Sequence, residues 1–551
     1  MKVIYSKTLV KLLFVASMAM TTACSDEFLE KKPYGQFTED QLTVDNVEDA
    51  MKATYSALRE HFFGNNESFS APVTNWIFDV RSDDAYKGGD GLGTEAYILQ
   101  LELSNITSDN ASGLNKWRNK YYAINKVHQA MNIVTSIAPD DMNVRLGELR
   151  LMRGHFYFDL IRIFERIPYI DEASIPSETG AFELTREEIF KKIEADFKFA
   201  WENLPESNTG ERFNKYAAAA YLCKLHMELK NYSDVVVWAD HVMEGQYYLY
   251  DNFLDMSKMD YDQEAEAVFS IPFSGEAVSG EYPNINWGNL LNMTWSEGNL
   301  YGNGDDFFIA SQNLANAFRT DSKGLPLFDT YNNENVGGSD YKGNVDPRLD
   351  FTMGRIGIPY RGYTYNEKWI RDATFGGFSG KKFAIDPDDP NMVQGFPWGG
   401  SGLDYKLIRY SEVLLWKAEA LIEGADKNLD EARRLINEVR AKAKRSIDES
   451  YSPIDIDVTT TNYKIEEYPS TGWTESYARQ ALRMERRLEL AMEGHRWFDL
   501  VRWGVTENVL NTYFSQEDER DYLSGASFSA DETYLPIPLE EVDKAGDLYK
   551  Q

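Results

Sequence analysis

Residues 154–162 read GHFYFDLIR and residues 494–502 read GHRWFDLVR, so the pattern Gly-His-x-aromatic-Phe-Asp-Leu-Ile/Val-Arg stands twice in one chain. In each copy a His precedes an Asp by four residues and the Asp precedes an Arg by three, which puts all three on one face of a helix. Catalytic and metal-binding helices present such faces. A helical core presents one too, when Phe158, Leu160, Phe498 and Leu500 bury the same face and the His, Asp and Arg satisfy one another inside it. The packing reading is preferred, because short motifs often match without sharing chemistry. In the downstream copy Ala481, Met484, Leu488, Ala491, His495 and Phe498 recur at steps of three and four, which sets His495 on an apolar stripe and not in a cleft. Glu485, Arg486, Arg487, Glu489 and Arg496 then line the flanks as ion pairs. Gly494 marks a helix break before 496–503 turns back.

Helical periodicity surrounds both copies. In 212–228 the residues Phe213, Tyr216, Ala217, Ala220 and Tyr221 fall at helical spacing, and a second helix is predicted at 232–243 after Asn231. The segments 410–422 and 429–443 form a comparable hairpin around Gly424-Ala425-Asp426, with Asp430 and Glu431 favouring the second N-terminus. Further helices are predicted at 47–62, 114–137, 144–164 and 185–203. Hairpins of this size, rich in Ala and Tyr, are similar to tetratricopeptide units without strict repetition. Between residues 248 and 405 the periodicity nearly vanishes and Gly, Asn, Asp, Pro and aromatics dominate, which predicts loop with short strands. So long a segment is too large for a linker and is expected as a folded region mounted on the helices. A smaller polar insertion spans 446–474. The expected fold class is mainly α: helix hairpins scaffolding a loop-rich region with short strands.

The first residues bear on location. Lys2, Lys7 and Lys11 accompany an apolar stretch over 9–20 that is too short to span a bilayer and reads as a signal peptide. It ends in Thr21-Thr22-Ala23-Cys24, which resembles a lipobox with Thr where Leu is usual. Cleavage before Cys24 leaves an N-terminal cysteine to carry acyl chains, and two or three chains at about 0.8 kcal/mol per buried methylene anchor a protein durably. Ser25, Asp26 and Glu27 resemble the acidic tag of lipoproteins sent to the outer face of the outer membrane. The other cysteine, Cys223, has no partner left for an intramolecular disulfide, so stability must come from packing. Removing the three leader lysines from a formal charge of −32 leaves −35. Nucleic acid is therefore excluded as an expected partner, and strongly anionic polymers are disfavoured unless a local basic patch overrides the net charge. The 33 Tyr and 12 Trp exceed what a core requires and suggest an exposed recognition surface.

The chain resembles the SusD/RagB family of nutrient-binding outer-membrane lipoproteins. Four stretches carry the resemblance: the lipobox with FLEKKP at 28–33, RGHFYFDLIRIFERIPYI at 153–170, ERRLELAMEGHRWFDLVRWG at 485–504, and YLPIP at 534–538. It covers essentially the whole chain. The resemblance implies four tetratricopeptide-like hairpins and an irregular half. It also implies a role as lid on a SusC-like, TonB-dependent transporter that captures glycan outside the cell without cleaving it. The corresponding organisation is a signal peptide at 1–23, an acylated Cys and tether at 24–40, an N-terminal helical part at 41–247, an aromatic-rich ligand-binding insertion at 248–404 and a C-terminal helical part at 405–551.

A glycan site wants flat aromatic platforms for C–H faces and amides, carboxylates or Arg for hydroxyls. Two regions offer that mixture. The first joins Trp76 to the polar run holding Asp83 and Asp84, which are as readily turn or capping residues. The second contains Trp287, Trp295, Tyr301, Tyr360, Tyr363, Tyr365, Trp369 and Trp398. Trp287 and Trp295 lead, because Asn286, Gly288, Asn289 and Asn292 surround them and not aliphatics. The expected ligand contacts are Trp76, Asp83, Asp84, Trp287, Trp295, Tyr301, Trp369 and Trp398, with Cys24 lipidated, no catalytic residue and no cofactor. Arg348 is expected to anchor a turn. Asp386, Asp388 and Asp389, or Asp305 and Asp306, supply oxygens suited to structural calcium but match no EF-hand loop. Two rivals stay open: a surface glycoside hydrolase using paired carboxylates, and a scaffold subunit of the transporter whose cargo is peptide. No HExxH, GxSxG or P-loop sequence supports other chemistry.

Overall fold

A computed structural model describes residues 43–59, 78–172, 174, 176–208, 212–262, 266–275, 293–295, 304–393, 400–448, 455–517 and 520–549. The leader, Cys24, Trp76, Trp287, Tyr301 and Trp398 lie outside them.

The described chain is mainly helical, as its periodicity predicts. Its longer helices are α1 (Val44–Ala57), α2 (Ala111–Ile137), α3 (Met142–Ile163), α4 (Arg186–Asn203), α5 (Lys215–Glu228), α6 (Tyr232–Met243), α7 (Tyr410–Glu423), α8 (Leu429–Arg445), α9 (Glu475–Glu489), α10 (Arg496–Trp503) and α11 (Thr506–Gln516). Side-chain caps fix several starts. The Asn110 side chain accepts from the amides of Ser112 and Gly113 at α2, and Thr185 forms a capping box with Glu188 at α4. Successive helices pack on one another from α1 through α2, α3, α4 and α5 to α6, and α6 then packs on α7, which follows more than 160 residues later. At the centre of this stack, Ala217 to Cys223 of α5 are all buried, and the four alanines let neighbouring helices approach from several sides. One continuous apolar core runs through helices on both sides of the loop-rich region.

The loop-rich region leaves and rejoins this stack through a two-stranded ladder. Strand β2 (Ala267–Ile271) follows α6 and pairs antiparallel with β5 (Tyr405–Arg409), which runs directly into α7. Between them, β3 (Phe307–Ala310) pairs antiparallel with β1 (Ala85–Gly88) of the N-terminal half, Ala85 opposite Ala310. Strand β4 (Asn344–Val345) pairs with β6 (Asn462–Tyr463) of the C-terminal insertion. The region is thus stitched to both halves.

Ion pairs replace apolar contacts where the ladder meets α8 and α9. Arg409 and Lys442 share Glu266 and Glu489, Arg409 also holds Glu493, and Arg348 joins Asp346 to Glu485 and Glu489. All these groups are buried. Removing any one partner strands a charge in the interior, so the cluster specifies this arrangement strongly. Arg348 therefore does more than anchor a turn.

The doubled motif is architecture. In the first copy Asp159 accepts from Lys120 at 2.8 Å and from Arg162 at 2.7 Å; in the second Asp499 accepts from Arg486 at 2.7 Å and from Arg502 at 2.9 Å. The two copies meet, because the Arg162 guanidinium lies 4.5 Å from the Phe158 ring centroid and 4.2 Å from that of Phe498. Sequence reasoning misplaces the histidines. They pair with other helices and not with their own motif: His155 with the Tyr221 hydroxyl at 2.9 Å, and His495 with Glu412 at 3.1 Å. Burial pushes the His155 imidazole down to about 3, so it is neutral. The glycines differ as well. A Cβ on Gly154 would stand 2.4 Å from the Phe197 ring, so the residue is small to admit α4, whereas Gly494 has φ +79° in the turn between α9 and α10. That break begins at Leu490, earlier than predicted, with Met492 also at positive φ.

Candidate functional site

Asp83 and Asp84 are buried in ion pairs rather than exposed. Asp83 is gripped by Arg496 through Nε at 2.8 Å and Nη2 at 2.9 Å, and Asp84 accepts from Arg487 Nε at 2.7 Å. Both carboxylates are buried. Against the effect of burial, Arg487 and Arg496 hold the Asp83 carboxyl well below the ordinary carboxylate range; burial and the neighbouring Asp83 charge push Asp84 up. The run that reads as a polar loop is instead the tie between the N-terminal half and α9–α10. Asp83, Arg487 and Arg496 border a cleft of about 540 Å³ whose wall is largely apolar, with Met484, Leu500 and Val509.

The remaining two expected residues in the described set, Trp295 and Trp369, come together at a different place. Met293 bridges to Gly380 and its carbonyl accepts from the Asp306 amide at 2.9 Å, which brings 293–295 alongside 304–306. The Thr294 hydroxyl then donates to the Trp369 carbonyl at 2.8 Å. Gly304 is required in this crossing, because a Cβ there would stand 2.4 Å from the Thr294 carbonyl oxygen. Trp369 rests edge-on against Tyr360 and Tyr365 at 5.5 and 5.6 Å, and the Tyr363 ring lies tilted 6.4 Å away. Tyr360 and Tyr365 are buried footing, while Tyr363 is 40% and Trp295 37% exposed.

Arg371, which sequence reasoning missed, organises the polar half of this surface. Its guanidinium lies 4.9 Å from the Trp295 ring centroid and forms an ion pair with Asp305, while its amide donates to Asp306 Oδ2 at 3.1 Å. Asp90 stands 3.9 Å from the same guanidinium. Burial raises the Asp305 carboxyl, opposed by Arg371, and raises Asp306 to about 6. Beneath this surface Asp306 and Phe308, both buried, adopt positive φ, +55° and +53°, a conformation costing side-chain-bearing residues about 1–3 kcal/mol. Beneath the surface Lys87 donates to the Gly88 and Gly91 carbonyls at 3.0 and 2.8 Å, bracing the turn that carries Asp90. Besides Trp295 and Trp369, the adjacent pair Asp305-Asp306 is the sequence signal that pointed to this polar half, and it reads as calcium or acid–base equipment. Among the described residues no group of three or more His, Cys, Asp or Glu side chains is placed to hold a metal ion. No described helix is long and apolar enough to cross a membrane.

The surface therefore combines aromatic faces, a planar guanidinium and carboxylates on a rigid frame, which suits a ligand with apolar ring faces and hydroxyl edges. A family model described as the SusD family matches residues 265–551, and one described as starch-binding associating with outer membrane matches residues 27–227. A SusD-like protein P2 of Formosa agariphila is 24% identical, with 98% of each chain covered. A SusD-like protein of Bacteroides ovatus is 24% identical over 92% of this chain and 85% of its own. Among solved structures, a laminarin-binding SusD-like protein superposes with a TM-score of 0.67 at 20% identity, covering 91% of this chain and 98% of its own. Surface glycan-binding protein A of Bacteroides thetaiotaomicron, in complex with laminarihexaose, does so with a TM-score of 0.67 at 18% identity, covering 92% and 98%.

Proposed function

The chain belongs to the SusD family, and from that premise we propose that it is a cell-surface glycan-binding lipoprotein, anchored in the outer membrane through Cys24, that captures oligo- or polysaccharide for a SusC-like TonB-dependent transporter. The observation that carries the glycan reading is the exposed Trp295 ring, fixed from one side by Arg371 and tied through the neighbouring Thr294 hydroxyl to the loop of Trp369, which Tyr363 approaches. A sugar ring laid on such a platform buries its C–H face while its hydroxyls meet Asp90, Asp305 and the guanidinium edge. Trp287, Tyr301 and Trp398 belong to the same aromatic-rich sequence region and are proposed as further ligand contacts. The solved relatives that bind laminarin or laminarihexaose make β-glucan a sensible first probe.

The protein binds and does not cleave. Asp305 is committed to Arg371 and Asp306 to the Arg371 amide, so neither stands free as an acid–base pair. The test is affinity electrophoresis of the soluble protein from Ser25 onward against a polysaccharide panel, paired with a reducing-end assay. Retention of a polymer by the wild type, weakened about tenfold or more in Trp295→Ala, with no new reducing ends, is the expected result. Turnover, or retention indifferent to Trp295, contradicts it.

A further inference from the structure

The charge around Trp295 restricts which glycans the site admits. Its one guanidinium is already occupied: Arg371 is paired with Asp305, stands 3.9 Å from Asp90 and lies against the Trp295 ring. Lys87 is no substitute. It is fully buried, bound to two backbone carbonyls and set 5.1 Å from the ring centroids of both Phe307 and Phe375. Exposed Lys368 is next to exposed Glu367, so that pair adds no net charge. Asp90 has a side chain 70% exposed, and Asp372 Oδ2 approaches Gly91 of the same turn. The described residues of the Trp295 stretch, 293–295 and 304–306, carry Asp305 and Asp306 and no Lys or Arg. The local basic patch that alone could override a net charge of −32 is absent from this sequence stretch and is neutralised in the described surface.

We propose that this site, on the reading that Trp295 is its platform, selects uncharged glycans and rejects those bearing uronate or sulfate. An anionic polymer would bring its charges within a Debye length, about 8–10 Å, of Asp90 and Asp305, which outnumber the Arg371 guanidinium they share, and that guanidinium is already engaged. A neutral glycan brings no charge of its own to this surface and meets only hydrogen-bonding groups and aromatic faces. Its affinity is therefore insensitive to salt, changing less than about twofold between low and high ionic strength.

The experiment is affinity electrophoresis of the mature wild type and of Trp295→Ala. Neutral probes are laminarin, starch, xyloglucan, mannan and levan; anionic probes are polygalacturonate, alginate and dextran sulfate. Retention of at least one neutral polymer, lost in Trp295→Ala, with none of the anionic polymers retained, is expected. Retention of an anionic polymer that Trp295→Ala abolishes overturns the selectivity while leaving the platform standing. Retention that Trp295→Ala leaves intact, or retention of no polymer at all, overturns the platform and the selectivity with it.

Discussion

Replacing Asp159 by Ala separates architecture from binding. The carboxylate accepts from Lys120 at 2.8 Å and from Arg162 at 2.7 Å, and all three side chains are buried. Against the effect of burial, Lys120 holds this carboxyl well below the ordinary range, so it is ionised at neutral pH. Its removal leaves two buried cations without their carboxylate, a lesion that costs about 3–5 kcal/mol. Folded chains of ~500 residues unfold with an entropy near ~1 kcal/mol/K, at about 2.1 cal/mol/K per residue, so melting should fall by roughly 3–5 °C if the shared core unfolds as one unit. Asp499→Ala should be milder by about 1–2 kcal/mol, because Arg502 keeps Glu419 at 2.7 Å and Arg486 keeps Glu412 at 3.7 Å. Scanning calorimetry gives both numbers, and titration with a retained glycan gives the affinity, which should change less than about twofold in either variant. An Asp159→Ala protein that melts like the wild type but no longer binds would instead mark the motif as a functional face.

Other perturbations follow the same logic. Gly494→Ala should destabilise by about 1 kcal/mol through its φ of +79°, while Gly154→Ala should cost about 1–3 kcal/mol by forcing Phe197 aside, both read by chemical denaturation. Burial raises Glu102 to about 7 against hydrogen bonds from Tyr522 and the Lys87 amide, so the folded state holds a proton that the unfolded chain releases near ~4.3. That contribution is full at acid pH and lost as pH rises through 7. Glu102→Gln should therefore flatten the change in stability between about pH 5 and 8 by up to roughly 3 kcal/mol, and an unaltered slope contradicts the assignment. His155, held down to about 3 by burial, acts oppositely: its contribution is present above the unfolded value of ~6.5 and is lost as pH falls. Cys24→Ser should abolish metabolic labelling with palmitate and release the protein from membranes, and retention in washed outer membranes would refute the anchor.

Helices were legible wherever one face alternates with solvent at helical spacing. The second helix of the central hairpin, Tyr232–Met243, falls where its periodicity predicts, and Thr185 caps α4. Buried polar partners were not legible, because they join residues far apart in sequence. Nothing in His155 announces Tyr221, and Asp83 and Asp84 look like turn residues until Arg487 and Arg496, more than 400 positions away, arrive over them. The site was half legible for the same reason. Trp295 stands out by its Asn- and Gly-rich neighbours, but Arg371 sits in an unremarkable loop and acquires meaning only when Asp305, 66 residues earlier, pairs with it.

The most direct test is a crystal structure of the mature protein soaked with an oligosaccharide of whichever polymer is retained. The account predicts sugar density stacked on the open face of Trp295 within reach of Asp90, Trp369 and Tyr363, with the Arg371–Asp305 pair intact. Sugar bound instead in the cleft bordered by Asp83, Arg487 and Arg496, with Trp295 bare, would contradict it.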